Sequence, residues 1–134
     1  MSSVRGRLRK TTLDPVSPTR REIAESVIAA AAEIGATHAF GVPGGGSNLD
    51  VAGACARRNV RFVLTHSETS AAVMAAVVGE LTGAPGIAVA TRGPGAAAAA
   101  NGVANALLER APMVMITDCV TAGDSVRVSH QRID

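Results

Sequence analysis

The chain has no tryptophan, no tyrosine and only two phenylalanines, so its interior must be built from alanine, valine, isoleucine and leucine. The same shortage leaves no aromatic platform on which nucleic-acid bases could stack. Lysine occurs once, as Lys10, which excludes a phosphate loop of the Gly-x-x-x-x-Gly-Lys type, because that loop needs a lysine to reach the terminal phosphates. No run of about 18 apolar residues is present, and the first residues lack the apolar stretch of a secretory signal. A membrane segment is therefore not expected, and a cytoplasmic location is. Cys55 and Cys119 show neither Cys-x-x-Cys spacing nor a histidine close by in sequence, which predicts two reduced, buried thiols. His38, His66 and His130 lack paired-ligand spacing, so no metal site is expected within the chain.

Charge is scarce and uneven. Arg5, Arg7, Arg9, Lys10, Arg20 and Arg21 stand against Asp14 at the start, whereas the remainder is net acidic. A basic arm without aromatics, and without continuation into the folded part, reads as a solvated leader over residues 1–19 rather than a nucleic-acid or membrane contact. The remaining residues, 20–134, are the right size for one domain.

Thr19 followed by Glu22 makes a capping box, and Ile23, Val27, Ala30 or Ala31, and Ile34 recur on one helical face until Gly35. This predicts a helix over 20–34 with those residues inward. "THAFGV" at 37–42 reads as a short buried strand that runs into Pro43 and three glycines. Residues 48–58 read as a helix with Leu49, Ala52, Cys55 and Ala56 inside, and 60–66 as a second strand. Residues 68–82 read as a helix with Val73, Ala76, Val77 and Leu81 at helical spacing, stopped by Gly83 and Pro85. A third strand at 86–91, a tight "RGPG" loop, an alanine-rich helix at 96–110 and a fourth strand at 113–119 follow. Residues 120–134 suggest no element.

Apolar rather than alternating strands, separated by helices, predict an open, doubly wound, mostly parallel α/β sheet with helices on both faces. Ligands of such sheets bind beyond the carboxyl ends of the strands. Three segments, "GVPGGG", "THSE" and "TRGPG", lie at those ends and should converge.

"GVPGGGSN" invites a phosphate-binding reading, but a Gly-x-Gly-x-x-Gly pattern from Gly44 meets Leu49 where glycine is required. The alternative is a turn that only permits positive φ or close packing. "GPG" at 93–95 carries the same two readings. No Gly-x-Ser-x-Gly elbow surrounds Ser47. Glu68 is the sharpest candidate. An acid in the first turn of a helix, behind Ser67 as N-cap, is favoured by the helix dipole without any function. Yet Glu68 ends a strand-to-helix connection where ligands bind, and its helix carries no other charge until Glu80. A carboxyl group so placed suits sharing a proton with a bound heterocycle.

"FGVPG" at 40–44, Glu68 with "MA" at 74–75, "TG" at 82–83, "PG" at 85–86, "GPG" at 93–95, "NGVANAL" at 101–107, "AP" at 111–112 and "Q-x-I-D" at 131–134 resemble, in order and spacing, the pyrimidine-binding domain of thiamine-diphosphate enzymes. The similarity is strongest to the acetolactate synthase, pyruvate oxidase and benzoylformate decarboxylase group. It implies that Glu68 accepts a hydrogen bond from N1′ of the cofactor's aminopyrimidine, favouring the tautomer whose exocyclic nitrogen takes the proton from C2 of the thiazolium. A 2-oxo acid then adds and loses carbon dioxide. It further implies that Val42, Pro43, Gly44, Gly93, Pro94 and Gly95 line the cofactor, with Gln131 and His66 on the substrate side. The chain departs from the family at Val77–Glu80, where Gly-Tyr-Ala-Arg is common, and at Arg92, Ala98 and Arg132. Ser67 also separates His66 from Glu68.

The resemblance places the diphosphate and its magnesium ion in a domain that these 134 residues do not contain. The implied partners are a second copy in a homo-oligomer or a separate diphosphate-binding subunit, besides a small 2-oxo acid. Alternatives are the small subunit of a two-subunit oxo-acid decarboxylase, or a non-catalytic remnant kept as an interaction module.

Overall fold

A computed structural model describes residues 18–119 of the chain. Eight elements alternate: α1 (Arg20–Glu33), β1 (His38–Gly41), α2 (Asn48–Arg57), β2 (Arg61–Leu64), α3 (Glu68–Thr82), β3 (Gly86–Ala90), α4 (Pro94–Glu109) and β4 (Met113–Thr117). All strand pairs are parallel, in the order β2-β1-β3-β4. The α/β reading of the sequence is therefore correct. Its element boundaries need small shifts: α4 begins at Pro94, because proline at the first turn loses no hydrogen bond that the helix needs, and β4 ends before Asp118.

Local chemistry explains the helix ends. The Thr19 hydroxyl accepts from the Glu22 amide at 3.2 Å, while Glu22 accepts from the Thr19 amide at 2.7 Å. The Thr19 amide, and then the Thr19 hydroxyl donating to the same carboxylate at 2.8 Å, hold the Glu22 carboxyl below its ordinary value of 4.5. Ser67 caps α3 by accepting from the Ser70 amide at 3.1 Å, and Gly83, at φ 70°, ends that helix in the left-handed conformation.

The crossovers distribute the helices over both faces. One core cluster joins α1 and α2 to the sheet through Ile28, Val51, Cys55, Ala39, Ile87 and Val89. The other joins α3 and α4 to it through Ala71, Ala72, Ala75, Ala99, Phe40 and Ala88. Residues 87, 88 and 89 thus alternate between the two layers, as a pleated strand requires. Burying Ile28, Ile87 and Val89 fully contributes roughly 1.5–3 kcal/mol each.

Which helical face is inward differs from the expectation at α1, α2 and α3. In α1 the buried residues are Ala24, Ile28 and Ala31, while Ile23, Val27 and Ile34 are exposed. In α2, Val51, Ala54 and Cys55 are inside, but Leu49 and Ala56 are not. In α3, Ala71, Ala72, Ala75, Ala76 and Gly79 are inside, leaving Val73, Met74, Val77 and Leu81 outside. The reason at α3 is distance. A β-carbon at Gly86 would overlap the Ala75 carbonyl, one at Gly79 the Pro112 carbonyl, and one at Gly102 would lie 2.5 Å from the Ala72 β-carbon. A helix seated this closely has room only for alanine and glycine beneath it.

One further expectation is corrected: Cys55 is buried, but Cys119 is exposed. Of the strands, β3 is wholly buried, whereas β2 and β4, at the edges of the described sheet, are half-buried to exposed.

Candidate functional site

The strand order reverses direction between β1 and β3: the chain moves from β1 outward to β2, then returns to β3 and continues to β4. A crevice opens at such a switch point, between the loops that leave the two neighbouring strands. Those loops are the two glycine turns. Gly41 pairs with Val89 at the ends of β1 and β3, so residues 42–46 and 91–95 emerge side by side.

Both turns pack on the Thr91 side chain. A β-carbon at Gly44 would overlap the Thr91 methyl, and one at Gly95 would lie 2.6 Å from Thr91 Oγ1. Thr91, the first residue beyond β3, therefore separates the two turns and is gripped by a glycine from each. Gly93 has φ 67° as the N-cap of α4, a conformation that a side chain would strain. Both parts of the structural reading are present: close packing is the reason for Gly44 and Gly95, and positive φ is the reason for Gly93.

Glu68 is the first residue of α3 and is half-buried. Its Oε1 would lie 3.2 Å from a β-carbon on Gly95, so the carboxylate lies against the second glycine turn. The starts of the two helices are also fastened together, because Thr69 Oγ1 donates to the Ala98 carbonyl at 2.5 Å. At the preceding loop, the Thr65 amide donates to the Gly41 carbonyl at 3.0 Å, which ties the β2–α3 connection to the end of β1.

The predicted site residues are mostly brought together. Gly44 and Gly95 pack on Thr91, and Glu68 lies beside Gly95; Val42 is half-buried, and Pro43 and Pro94 are exposed on the same turns. His66 is exposed on the loop before Glu68. Gln131 lies outside the described residues.

Three residues of this region escape a reading of the sequence. Thr91 counts there only as the last residue of a strand. Asp118 is hidden in "MVMITDC", although an acid at the carboxyl end of a parallel strand is a usable signal. Its carboxylate accepts from the Ser47 hydroxyl and, at 3.3 Å, from the Ser47 amide. Asn48 opens α2 at 3% exposure, and its amide lies 3.4 Å from the β-carbon position of Gly44. Neither amide atom has a hydrogen-bond partner among the described residues.

The family described as thiamine pyrophosphate enzyme, N-terminal TPP binding domain, matches residues 21–134. Among proteins, the chain is similar to the acetolactate synthase of Bacillus subtilis (strain 168), at 36% identity over 93% of this chain and 22% of that protein. It is similar to the catabolic acetolactate synthase of Raoultella terrigena at 35% identity, over 75% of this chain and 18% of that one. A 2-hydroxyacyl-CoA lyase of Arabidopsis thaliana is 36% identical over 75% of this chain and 18% of its own length. The chain therefore spans about a fifth of the length of the curated relatives it matches.

Proposed function

Because this chain belongs to the family of thiamine pyrophosphate enzyme N-terminal domains, we propose that Glu68 engages the aminopyrimidine of thiamine diphosphate in a carboligase or decarboxylase acting on a small 2-oxo acid. One observation carries the assignment of the residue: Glu68 Oε1 faces Gly95 across the crevice at the switch point. The residues fit a flat ring. At Gly95 the wall beside the carboxylate is backbone, and a β-carbon there would crowd both Thr91 and Glu68.

When bound, the cofactor supplies the carbanion-stabilising carbon that amino-acid side chains lack. The share of this chain is orientation and proton placement. Glu68 accepts a hydrogen bond from a ring nitrogen, which holds a proton at that atom and biases the ring's tautomer. Val42, Pro43, Gly44, Gly93, Pro94 and Gly95 would line the place of the ring and limit its access to water. His66 and Gln131 are assigned to the substrate side.

The diphosphate and magnesium are assigned to a body outside this chain. The outer face of α3 supports a covering partner, either a second copy or a diphosphate-binding subunit. Val73, Met74, Val77 and Leu81 form an exposed apolar stripe on the helix that Glu68 begins, and a groove of about 420 Å³ runs beside it, lined by Phe40, Val63 and Val78. Apolar surface of this kind marks an interaction site. A cytoplasmic setting belongs to the same reading, and no helix among the described residues is long and apolar enough to cross a membrane.

The test is turnover of pyruvate, as a small 2-oxo acid, by this chain combined with a diphosphate-binding domain, thiamine diphosphate and magnesium. Glu68→Gln, which keeps shape but removes the anionic acceptor, should lower kcat by a factor of about 100 or more, the scale of a lost acid–base group. Unchanged turnover in that variant removes the role from Glu68.

A further inference from the structure

The three-glycine turn looks built for an anion, since backbone N–H groups at a helix start attract one. The structure fills that place from within. Asp118, just beyond β4, brings its carboxylate to the N-terminus of α2, where the Ser47 hydroxyl and amide both donate to it. Ser47 makes no side-chain cap bond of its own. Gly46, at φ 72°, lies against the same carboxylate, and a β-carbon there would overlap Asp118 Oδ2. The other end of the turn is fixed by Gly44 packed on Thr91 and Asn48. Between these anchors, a β-carbon on Gly45 would meet nothing within 4 Å.

We propose that Asp118 is a positioning residue for the crevice: it occupies the anion seat of the glycine turn and thereby sets Val42–Gly44 against Thr91. The turn is then not a phosphate site, because its charge is already matched by a carboxylate of the chain. What is positioned is one wall of the cofactor crevice, and only the meaning of that wall rests on the thiamine-diphosphate reading.

The test uses the whole chain labelled with ¹⁵N and needs no cofactor. In the native sequence the Ser47 amide should exchange with solvent far more slowly than the Gly45 amide, and inorganic phosphate should leave the Gly45, Gly46 and Ser47 resonances in place. In Asp118→Ala the seat is emptied. Phosphate in the millimolar range should then shift the Gly46 and Ser47 amides saturably, and Val42, Gly44 and Thr91 should be displaced even without phosphate. Native-sequence amides that respond to phosphate as strongly as those of the variant would overturn the proposal. It also falls if Asp118→Ala moves Ser47 but leaves Val42, Gly44 and Thr91 unmoved, since Asp118 would then only cap α2. Should Asp118→Ala not fold, the comparison of Ser47 with Gly45 in the native chain decides: equal exchange rates sink the idea. Failure of the Glu68 assignment would leave all these outcomes unaffected.

Discussion

Glu68 and Gly95, the first residue of α3 and the second of α4, meet so closely that a methyl group on the glycine would stand 3.2 Å from the carboxylate oxygen Oε1 and 2.6 Å from Thr91 Oγ1. The carboxylate is thereby held between a helix start and a strand end. Gly95→Ala must push Thr91 or Glu68 aside. Overpacking of this size costs about 1–3 kcal/mol, so its urea midpoint should fall. In the assembled enzyme, turnover should fall further than stability alone explains. Equal midpoints for variant and parent would show that the contact is slack.

Cys55 gives a pH dependence with a definite sign. Burial pushes its thiol from an ordinary value of 9.0 up to about 11. The folded form then keeps a proton that the unfolded chain releases, so stability is full below about pH 9 and declines between pH 9 and 11. The decline amounts to at most roughly 1.4 kcal/mol per pH unit. With no tyrosine and a single lysine in the chain, few other groups titrate in that window. Denaturant melts at pH 8 and pH 10 should show the loss, and Cys55→Ala should remove most of the difference between them.

Val77 lies at the middle of the exposed apolar stripe on α3. Val77→Glu should change the stability of the chain by no more than about 0.5 kcal/mol, as for surface sites generally. Association with a covering partner should weaken by at least tenfold, which native mass spectrometry or sedimentation velocity would read. A variant that associates as well as the parent would remove α3 from the interface.

Gly79 and Gly45 should respond oppositely to alanine. At Gly79 the new methyl would overlap the Pro112 carbonyl, a backbone atom that cannot rotate away, so a loss of about 2 kcal/mol or more is expected. At Gly45 there is open space and φ is not positive. Alanine there should leave the melting temperature unchanged or raise it slightly, through a less flexible unfolded chain.

The order of elements and the parallel sheet were legible in the sequence, because they depend on local signals. Capping residues at Thr19 and Ser67, breakers at Gly35 and Gly83, and unbroken apolar strands each act within a few residues of where they stand. The inward faces of α1, α2 and α3 were misread where hydrophobicity alone was followed. Val73, Val77 and Leu81 are more apolar than Ala72 or Ala75, yet it is the alanines that fit beneath a helix in contact with Gly86 and Gly102.

Residue chemistry in the chain thus determined that strands and helices alternate and that an acid begins α3, since both follow from spacing along the backbone. Only the tertiary structure decided which residues share the crevice. Thr91 lies between two glycines from different turns, and Asp118 reaches Ser47 from the far edge of the described sheet. Such meetings depend on strand order and on how closely layers approach, and neither is encoded in any short stretch of sequence.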